Sequence, residues 1–240
     1  MKVADITVEH IDTHGSDLKV VNAARVSFDK EAEWNYWRDD EGVVQTYLKD
    51  RDAKLLRFLA KNGHWTPFGH CTATFRVKAP IFVARQLAKH VVGLVWNEVS
   101  RRYVDDEPEF YIPGPRARAP NVKQGSAAEF VGDDGHATSI IEDASRCGLW
   151  DYRDLLGLGV APEVARCVLP QNTMTSWYWT GSLMAFARVC QLRLDPHSQE
   201  ETRIVARHIS EHLAREFPVS WDALVPAELH DHRQGELPLV

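Results

Sequence analysis

The sequence predicts an α+β fold. Stretches with helical spacing of apolar residues outnumber stretches with strand-like alternation. The two kinds do not alternate regularly along the chain, as a doubly wound parallel sheet requires. The length, 240 residues, suits one sizeable domain or two small ones and is enough to bury a real core.

Each element has its own signal. Residues 50–62 read as a helix with Leu55, Leu56, Phe58 and Leu59 on one side, and Gly63 is placed to end it. Over 71–78, Ala73, Phe75 and Val77 alternate with Thr72, Thr74, Arg76 and Lys78, the pattern of a half-buried strand. Pro80 sits where a helix starts, and 81–90 continues it, with Arg85, Gln86 and Lys89 sharing a face. Residues 105–138 are polar and rich in Pro, Gly and Ala, and read as a long loop excursion. Ser139 and Glu142 form a capping box for a helix running to about residue 156. Residues 162–166 read as a short helical turn. Residues 172–180 are Thr- and aromatic-rich and read as a strand that Gly181 breaks. A buried helix follows over 182–191, with Leu183, Phe186 and Val189 or Cys190 inward. A last helix from about 196 to 216 carries Val205, Ile209 and Leu213 on its inner stripe.

Composition narrows the function. A hydrophobic fraction of 44% and a charged fraction of 26% are ordinary for a globular protein, and the net charge of −6 argues against general affinity for nucleic acid or anionic membrane. Any phosphate site must be a local cationic pocket. Cys71, Cys147, Cys167 and Cys190 are scattered, with no Cys-x-x-Cys pair, so they read as thiols in a reducing compartment. The first residues show no apolar run of a signal peptide, and no stretch approaches the ~20 apolar residues of a membrane span. These features predict a cytoplasmic protein.

Familiar signatures are missing: there is no Gly-x-Gly-x-x-Gly, Walker loop, Gly-x-Ser-x-Gly or His-Glu-x-x-His. His208 and His212 are four apart, but with no carboxylate partner they read as a solvated helix face, and no metal site is predicted. Three polar constellations remain: 64–70, 85–103 and 166–201. The second is the densest. Arg85, Lys89, Arg101 and Arg102 stand among Gln86, His90, Asn97, Glu98 and Ser100, interleaved with Val91, Val92, Leu94, Val95 and Trp96. That mixture predicts a partly buried anion site held by apolar packing.

Together the three constellations resemble the flavin-dependent thymidylate synthase family. The resemblance runs through Val21-Asn22-Ala23-Ala24-Arg25-Val26-Ser27-Phe28, the His64–His70 stretch, the segment from Ala79 to Gln86, Asn97-Glu98-Val99-Ser100-Arg101-Arg102-Tyr103, Glu109 to Pro113, Ala165 to Pro170, and Arg193, Asp195, His197 and Gln199. It implies one domain over 1–240 with a mixed, largely antiparallel sheet flanked by helices, and a homotetramer with active sites between subunits. It also implies reductive methylation of dUMP to dTMP, with methylenetetrahydrofolate as carbon donor and FAD reduced by NADPH.

By the same resemblance, Gln86, Ser100, Arg102 and Arg166 fall where the family binds the dUMP phosphate and sugar, and Arg193, also a dUMP contact, falls where the family's arginine activates the uracil ring. Bidentate guanidinium and short hydroxyl donors suit a phosphate. Arg193 and His64 are the implied catalytic residues, Arg193 because a fixed guanidinium stabilises negative charge growing on the uracil oxygens. The competing role for Arg193 is a structural ion pair with Asp195 or Glu200. Ser27, His64, Thr66, Lys89, His90, Glu98, Arg188 and His197 are the implied FAD contacts. The pattern also departs. The family's Arg-His-Arg is here Lys89-His90-Val91, the loop to Trp96 is one residue longer, and Gly69 stands where Glu is usual. Each lost charge-assisted contact weakens pyrophosphate binding by roughly 1.5–3 kcal/mol; Arg188 is the candidate replacement cation. The departures leave other outcomes open: hydroxymethylation of dUMP, another pyrimidine deoxynucleotide, or a non-catalytic dUMP-binding protein.

Overall fold

The computed structural model describes residues 1–39, 42–120, 125–132, 135–226 and 229. The chain opens with β1 (Lys2–Val3) and β2 (Thr7–His14), followed by α1 (Asp17–Arg25). Ser16 caps α1 through its side chain. A 3-10 turn, Val26–Phe28, leads to a hairpin of β3 (Asn35–Arg38) and β4 (Val44–Tyr47). Helix α2 (Asp50–Lys61) begins with two acidic residues at its dipole's positive end and stops before Gly63, whose φ of +69° few other residues adopt. Leu56 is its buried residue in the core, with Leu55 and Leu59 partly buried. Phe58 departs from the sequence reading: it is exposed, and its ring stacks on His64 at 6.2 Å.

After a second 3-10 turn (Thr66–His70) comes β5 (Thr72–Pro80), with Ala73, Phe75 and Val77 buried as their alternation requires. Helix α3 (Ile81–Leu87) is shorter than the sequence suggested. The chain must reverse at once to enter β6 (Leu94–Glu98), and Gly93, at φ +75°, makes that turn. Lys89 therefore lies beyond the helix rather than on its face. Of the apolar residues expected to enclose this segment, Leu94 and Trp96 pack against the core, while Val91, Val92 and Val95 are exposed.

The 105–138 excursion carries β7 (Glu109–Phe110) and a hairpin of β8 (Arg116–Arg118) with β9 (Ser126–Phe130). Helix α4 (His136–Gly157) starts earlier than the capping-box reading placed it. Gly135 occupies the cap position, and Ser139 already donates its backbone N–H to the Gly135 carbonyl at 2.9 Å. Helix α5 (Pro162–Ala165) and a 3-10 turn (Arg166–Val168) precede β10 (Met174–Ser182). Gly181 does not break this strand. It lets β6 come close, since a Cβ there would lie 2.3 Å from a Leu94 methyl. Ser182 caps α6 (Leu183–Arg193). Helix α7 (Glu200–Glu216) begins later than expected, because the Asp195 carboxylate and carbonyl take the His197 and Ser198 N–H groups and hold a non-helical turn. Helix α8 (Pro218–Leu224) is capped by buried Asp17, which accepts the Val219 and Ser220 N–H groups at 2.9 Å.

The central sheet is antiparallel in the order β2-β5-β10-β6. Its inner face, with Phe75, Val77, Trp177 and Trp179, lies under α3, α6 and α7, and Phe186 of α6 meets Phe75 and Trp179 edge-on. Its other face shows Glu9, Arg76 and Tyr178 to solvent. The architecture is the expected α+β one. Among the described residues no helix is long and apolar enough to cross a membrane.

Candidate active site

The end of α3, the end of α6 and the start of α7 meet. Gln86 Nε2 donates to Gln199 Oε1 at 2.5 Å, and Thr202 Oγ1 donates to Gln86 Oε1 at 3.2 Å. Arg193 Nη2 donates to the Gln86 carbonyl at 3.3 Å, and its Nε donates to His90 Nε2 at 3.0 Å. His90 must be neutral at Nε2 to accept. Burial first, then the neighbouring Arg193, lowers its pKa below 6.5. Burial also lowers the pKa of Arg193, though it stays a cation.

No ion pair to Arg193 exists among the described residues. Asp195 accepts instead from His197, through both the backbone N–H at 2.8 Å and Nδ1 at 2.9 Å, and these bonds lower its pKa. Glu200 is occupied by Arg203 and Arg207. A partly buried guanidinium is thus fixed by neutral acceptors with its charge uncompensated. That arrangement suits an incoming anion or a carbonyl gaining negative charge.

A second group lies elsewhere. A cavity of about 550 Å³ opens over the solvent face of the sheet, and Glu98, Arg101 and Arg166 line it together with Arg76 and Lys78. Glu98 is oriented by Trp96 Nε1 at 3.1 Å and Thr175 Oγ1 at 2.7 Å. Arg101 is tethered to the Asp106 carbonyl at 2.9 Å and Arg166 to the Glu163 carbonyl at 3.1 Å, so both guanidinium charges lack a carboxylate among the described residues. Ser100 and Arg102 flank this cavity in sequence; Arg102 Nε donates to Ser100 Oγ at 3.2 Å. Gln86, His90 and Arg193 do not line the cavity. The five residues matched to dUMP therefore fall into two groups within one chain.

The residues matched to FAD divide as well. His64 and Thr66 border the exposed Trp65, and the Arg188 guanidinium sits 5.8 Å over that indole ring. Among the described residues Arg188 has no carboxylate partner, so an exposed aromatic ring and a free cation stand side by side here. Ser27 lies in the exposed turn after α1, and α1 packs beside the Thr66–His70 turn. Lys89 is exposed beside His90. His197 is exposed, with its ring held by Asp195.

The sequence did not single out Thr202 or Thr175. Thr202 could have been found from its i,i+3 spacing to Gln199 across the first turn of α7. Thr175 had no local signal, since strand pairing across the sheet brings it to Glu98. Of the two histidines four apart, His208 is exposed as a solvated face requires, but His212 is largely buried, its ring stacked on His10 at 3.7 Å and edge-on to Phe75; no cluster of metal-ligating side chains occurs among the described residues.

The family model described as thymidylate synthase complementing protein matches residues 9–219. The flavin-dependent thymidylate synthase of Thermosipho africanus is 36% identical over 218 residues, covering 90% of this chain and 89% of its own. That of Gluconobacter oxydans is 37% identical over 237 residues, covering 95% and 71%. The crystal structure of a UMP/dUMP methylase, PolB from Streptomyces cacaoi, bound with 5-Br dUMP, superposes with a TM-score of 0.78 at 31% identity, covering 93% of this chain and 96% of its own. The same protein bound with 5-Br UMP gives 0.73. With matches of this extent over the same fold, the chain belongs to the flavin-dependent thymidylate synthase family.

Proposed function

We propose that this protein methylates dUMP at C5 to give dTMP. The observation that carries the reading is the Arg193 guanidinium, partly buried, held by His90 and the Gln86 carbonyl, and without an ion pair among the described residues. Set against a uracil carbonyl, it favours the enolate-like distribution that makes C5 nucleophilic, so no cysteine nucleophile is required. The Gln86 amide has one N–H and one lone pair beyond its bonds to Gln199 and Thr202, and it lies beside Arg193, which suits the donor and acceptor edge of a pyrimidine imide rather than the phosphate and sugar that the resemblance implies. Ser100, Arg102 and Arg166, with Arg101 beside them, form the phosphate side.

The flavin surface is that of His64, Thr66 and Arg188, extended by Ser27, Lys89, His90, Glu98 and His197. The chemistry supplied from outside the chain is a one-carbon unit from methylenetetrahydrofolate and a hydride equivalent from FAD reduced by NADPH. His64, exposed and stacked on Phe58, stands at the flavin and folate side.

The two separated nucleotide groups support a site completed between copies, in a homotetramer. Exposed Val91 and Val92 in the turn before β6, and exposed Val95 on that edge strand, support the same reading. A core contiguous from Ile6 to Val225 supports a single domain, and four free cysteines suit the cytoplasm. One observation favours a wider substrate range: a solved relative is described as a UMP/dUMP methylase and is seen with 5-Br dUMP and with 5-Br UMP.

The absorption spectrum of the purified protein, with FAD and dUMP added, tests the reading. A bound-flavin spectrum bleached by NADPH, followed by dTMP formation with methylenetetrahydrofolate, is the expected result. dUMP binding without flavin retention at saturating FAD would overturn it in favour of a nucleotide-binding relative. Turnover of UMP in place of dUMP would establish the wider range.

A further inference from the structure

The 105–138 excursion is tied into the Gln86 cluster by an ion pair that no local pattern announces. Arg116 of β8 donates Nε to Ser126 Oγ of β9 at 3.0 Å, so the hairpin itself aims the guanidinium. Its Nη2 then reaches Glu201 Oε1. The Glu201 side chain is fully buried, and its other oxygen, Oε2, is without a hydrogen-bond partner. A carboxylate in that position needs a neighbouring cation, and Arg116 is the only one paired with it among the described residues.

Glu201 lies between Gln199 and Thr202 in the first turn of α7, the two residues that orient the Gln86 amide. The hairpin also approaches the loop before α7, since a Cβ on Gly125 would lie 3.5 Å from the His197 carbonyl oxygen. From this juxtaposition we propose that the β8–β9 hairpin is a positioning clamp for the pyrimidine subsite: Arg116 neutralises buried Glu201, fixes the first turn of α7, and through Gln199 and Thr202 sets the Gln86 amide for the imide edge of the nucleotide. Arg116 and Glu201 are positioning residues and do not touch substrate. The assignment of Gln86 to the pyrimidine rests on the function proposed above.

The test compares the full chain, loaded with FAD, with Arg116→Gln, Arg116→Lys and the double variant Arg116→Gln/Glu201→Gln. Two quantities are read: the Kd for dUMP by calorimetry, and amide hydrogen exchange over residues 85–90 and 198–203. Arg116→Gln leaves a buried carboxylate alone and should weaken dUMP binding by about tenfold or more, with faster exchange in both segments. Arg116→Lys, which keeps the charge but not the fork, should fall between. The double variant leaves no unpaired buried charge and should return to within about threefold of the unaltered protein. Unchanged Kd and exchange in a folded Arg116→Gln protein would overturn the clamp, as would a double variant no better than the single one. Should Arg116→Gln not fold, Arg116→Lys decides: dUMP affinity equal to that of the unaltered protein overturns the clamp. If the unaltered protein takes up no dUMP, the nucleotide assignment fails separately. The clamp is then judged by whether exchange in 85–90 still rises.

Discussion

Arg193 Nε donates to His90 Nε2 at 3.0 Å, joining residues 103 positions apart into one unit. One belongs to the altered Lys89-His90-Val91 stretch and the other to the end of α6. The bond exists only for neutral imidazole, with its proton on Nδ1. Burial and the adjacent guanidinium both favour that form. Arg193 in turn needs the bond, because it has no carboxylate among the described residues to fix its orientation.

This pairing makes nucleotide binding acid-sensitive. The folded-state pKa of His90 lies below its ordinary value of 6.5. The pair's contribution is therefore fully present above 6.5 and is lost as pH falls through the lower folded-state value. dUMP affinity measured between about pH 5 and pH 8 should decline on the acid side. The phosphate of dUMP also titrates near pH 6, so the control is His90→Gln, which offers an amide oxygen to Arg193 and does not titrate. That variant should retain binding while flattening the part of the acid decline due to His90. An identical profile in both proteins would remove His90 from the account.

Thr202 acts on the same cluster from α7. Thr202→Val deletes the hydroxyl that donates to Gln86 Oε1 and keeps most of the volume. The loss of one hydrogen bond should cost stability about 1 kcal/mol. The larger consequence should be in substrate recognition, with KM for dUMP raised roughly three- to tenfold and kcat little changed. Steady-state kinetics beside a melting curve separates the two. A fall in kcat at constant KM would place Thr202 in the chemical step instead.

These residues also show what could be read from the chain alone. The helical and strand periods located β5, α2, α6 and α7, because burial on one face leaves its mark in sequence. Boundaries were less legible. Gly181 looked like a strand breaker but is kept for close approach to Leu94, a contact between elements far apart in sequence. Ser139 carried a capping pattern that Gly135 pre-empts. At the site, resemblance supplied Gln86, His90 and Arg193, and the structure brought them together. It could not supply Arg116–Glu201 or Thr175–Glu98, whose partners are 85 and 77 residues apart and are joined only by the packing of hairpin on helix and strand on strand. Nor did sequence anticipate that Val91, Val92 and Val95 would face outward, since an apolar residue in an exposed turn or on an edge strand reads the same as one in the core.

A site shared between copies has a direct genetic test. Gln86 lies in the α3–α6–α7 cluster and Arg102 in the segment beside the cavity. Gln86→Ala and Arg102→Ala should each abolish most activity alone. Coexpressed, the two inactive chains should recover part of it, because some sites in mixed oligomers receive Gln86 from one subunit and Arg102 from another. Recovery up to about one quarter of the normal specific activity is the expected range for random mixing. No recovery, with mixed oligomers demonstrated by tagged purification, would place both residues in one subunit's site.

Glu98 offers the sharpest separation of stability from function. Trp96 stacks on Trp177 with centroids 4.3 Å apart and donates its indole N–H to Glu98 Oε2, while Thr175 holds Oε1. Trp96→Phe keeps an aromatic ring, though a smaller one, against Trp177 and deletes the indole donor. The stability change should be modest, about 1–2 kcal/mol, since the ring is smaller and the lost bond is solvent-exposed. Released at one oxygen, the Glu98 carboxylate can rotate about Thr175 and away from the cavity it lines. kcat/KM should then fall about tenfold, and Thr175→Val should give a similar loss through the other oxygen. Combining the two should be less than additive, because either change alone already frees the carboxylate. Fully additive losses would mean that Trp96 and Thr175 do not act through Glu98.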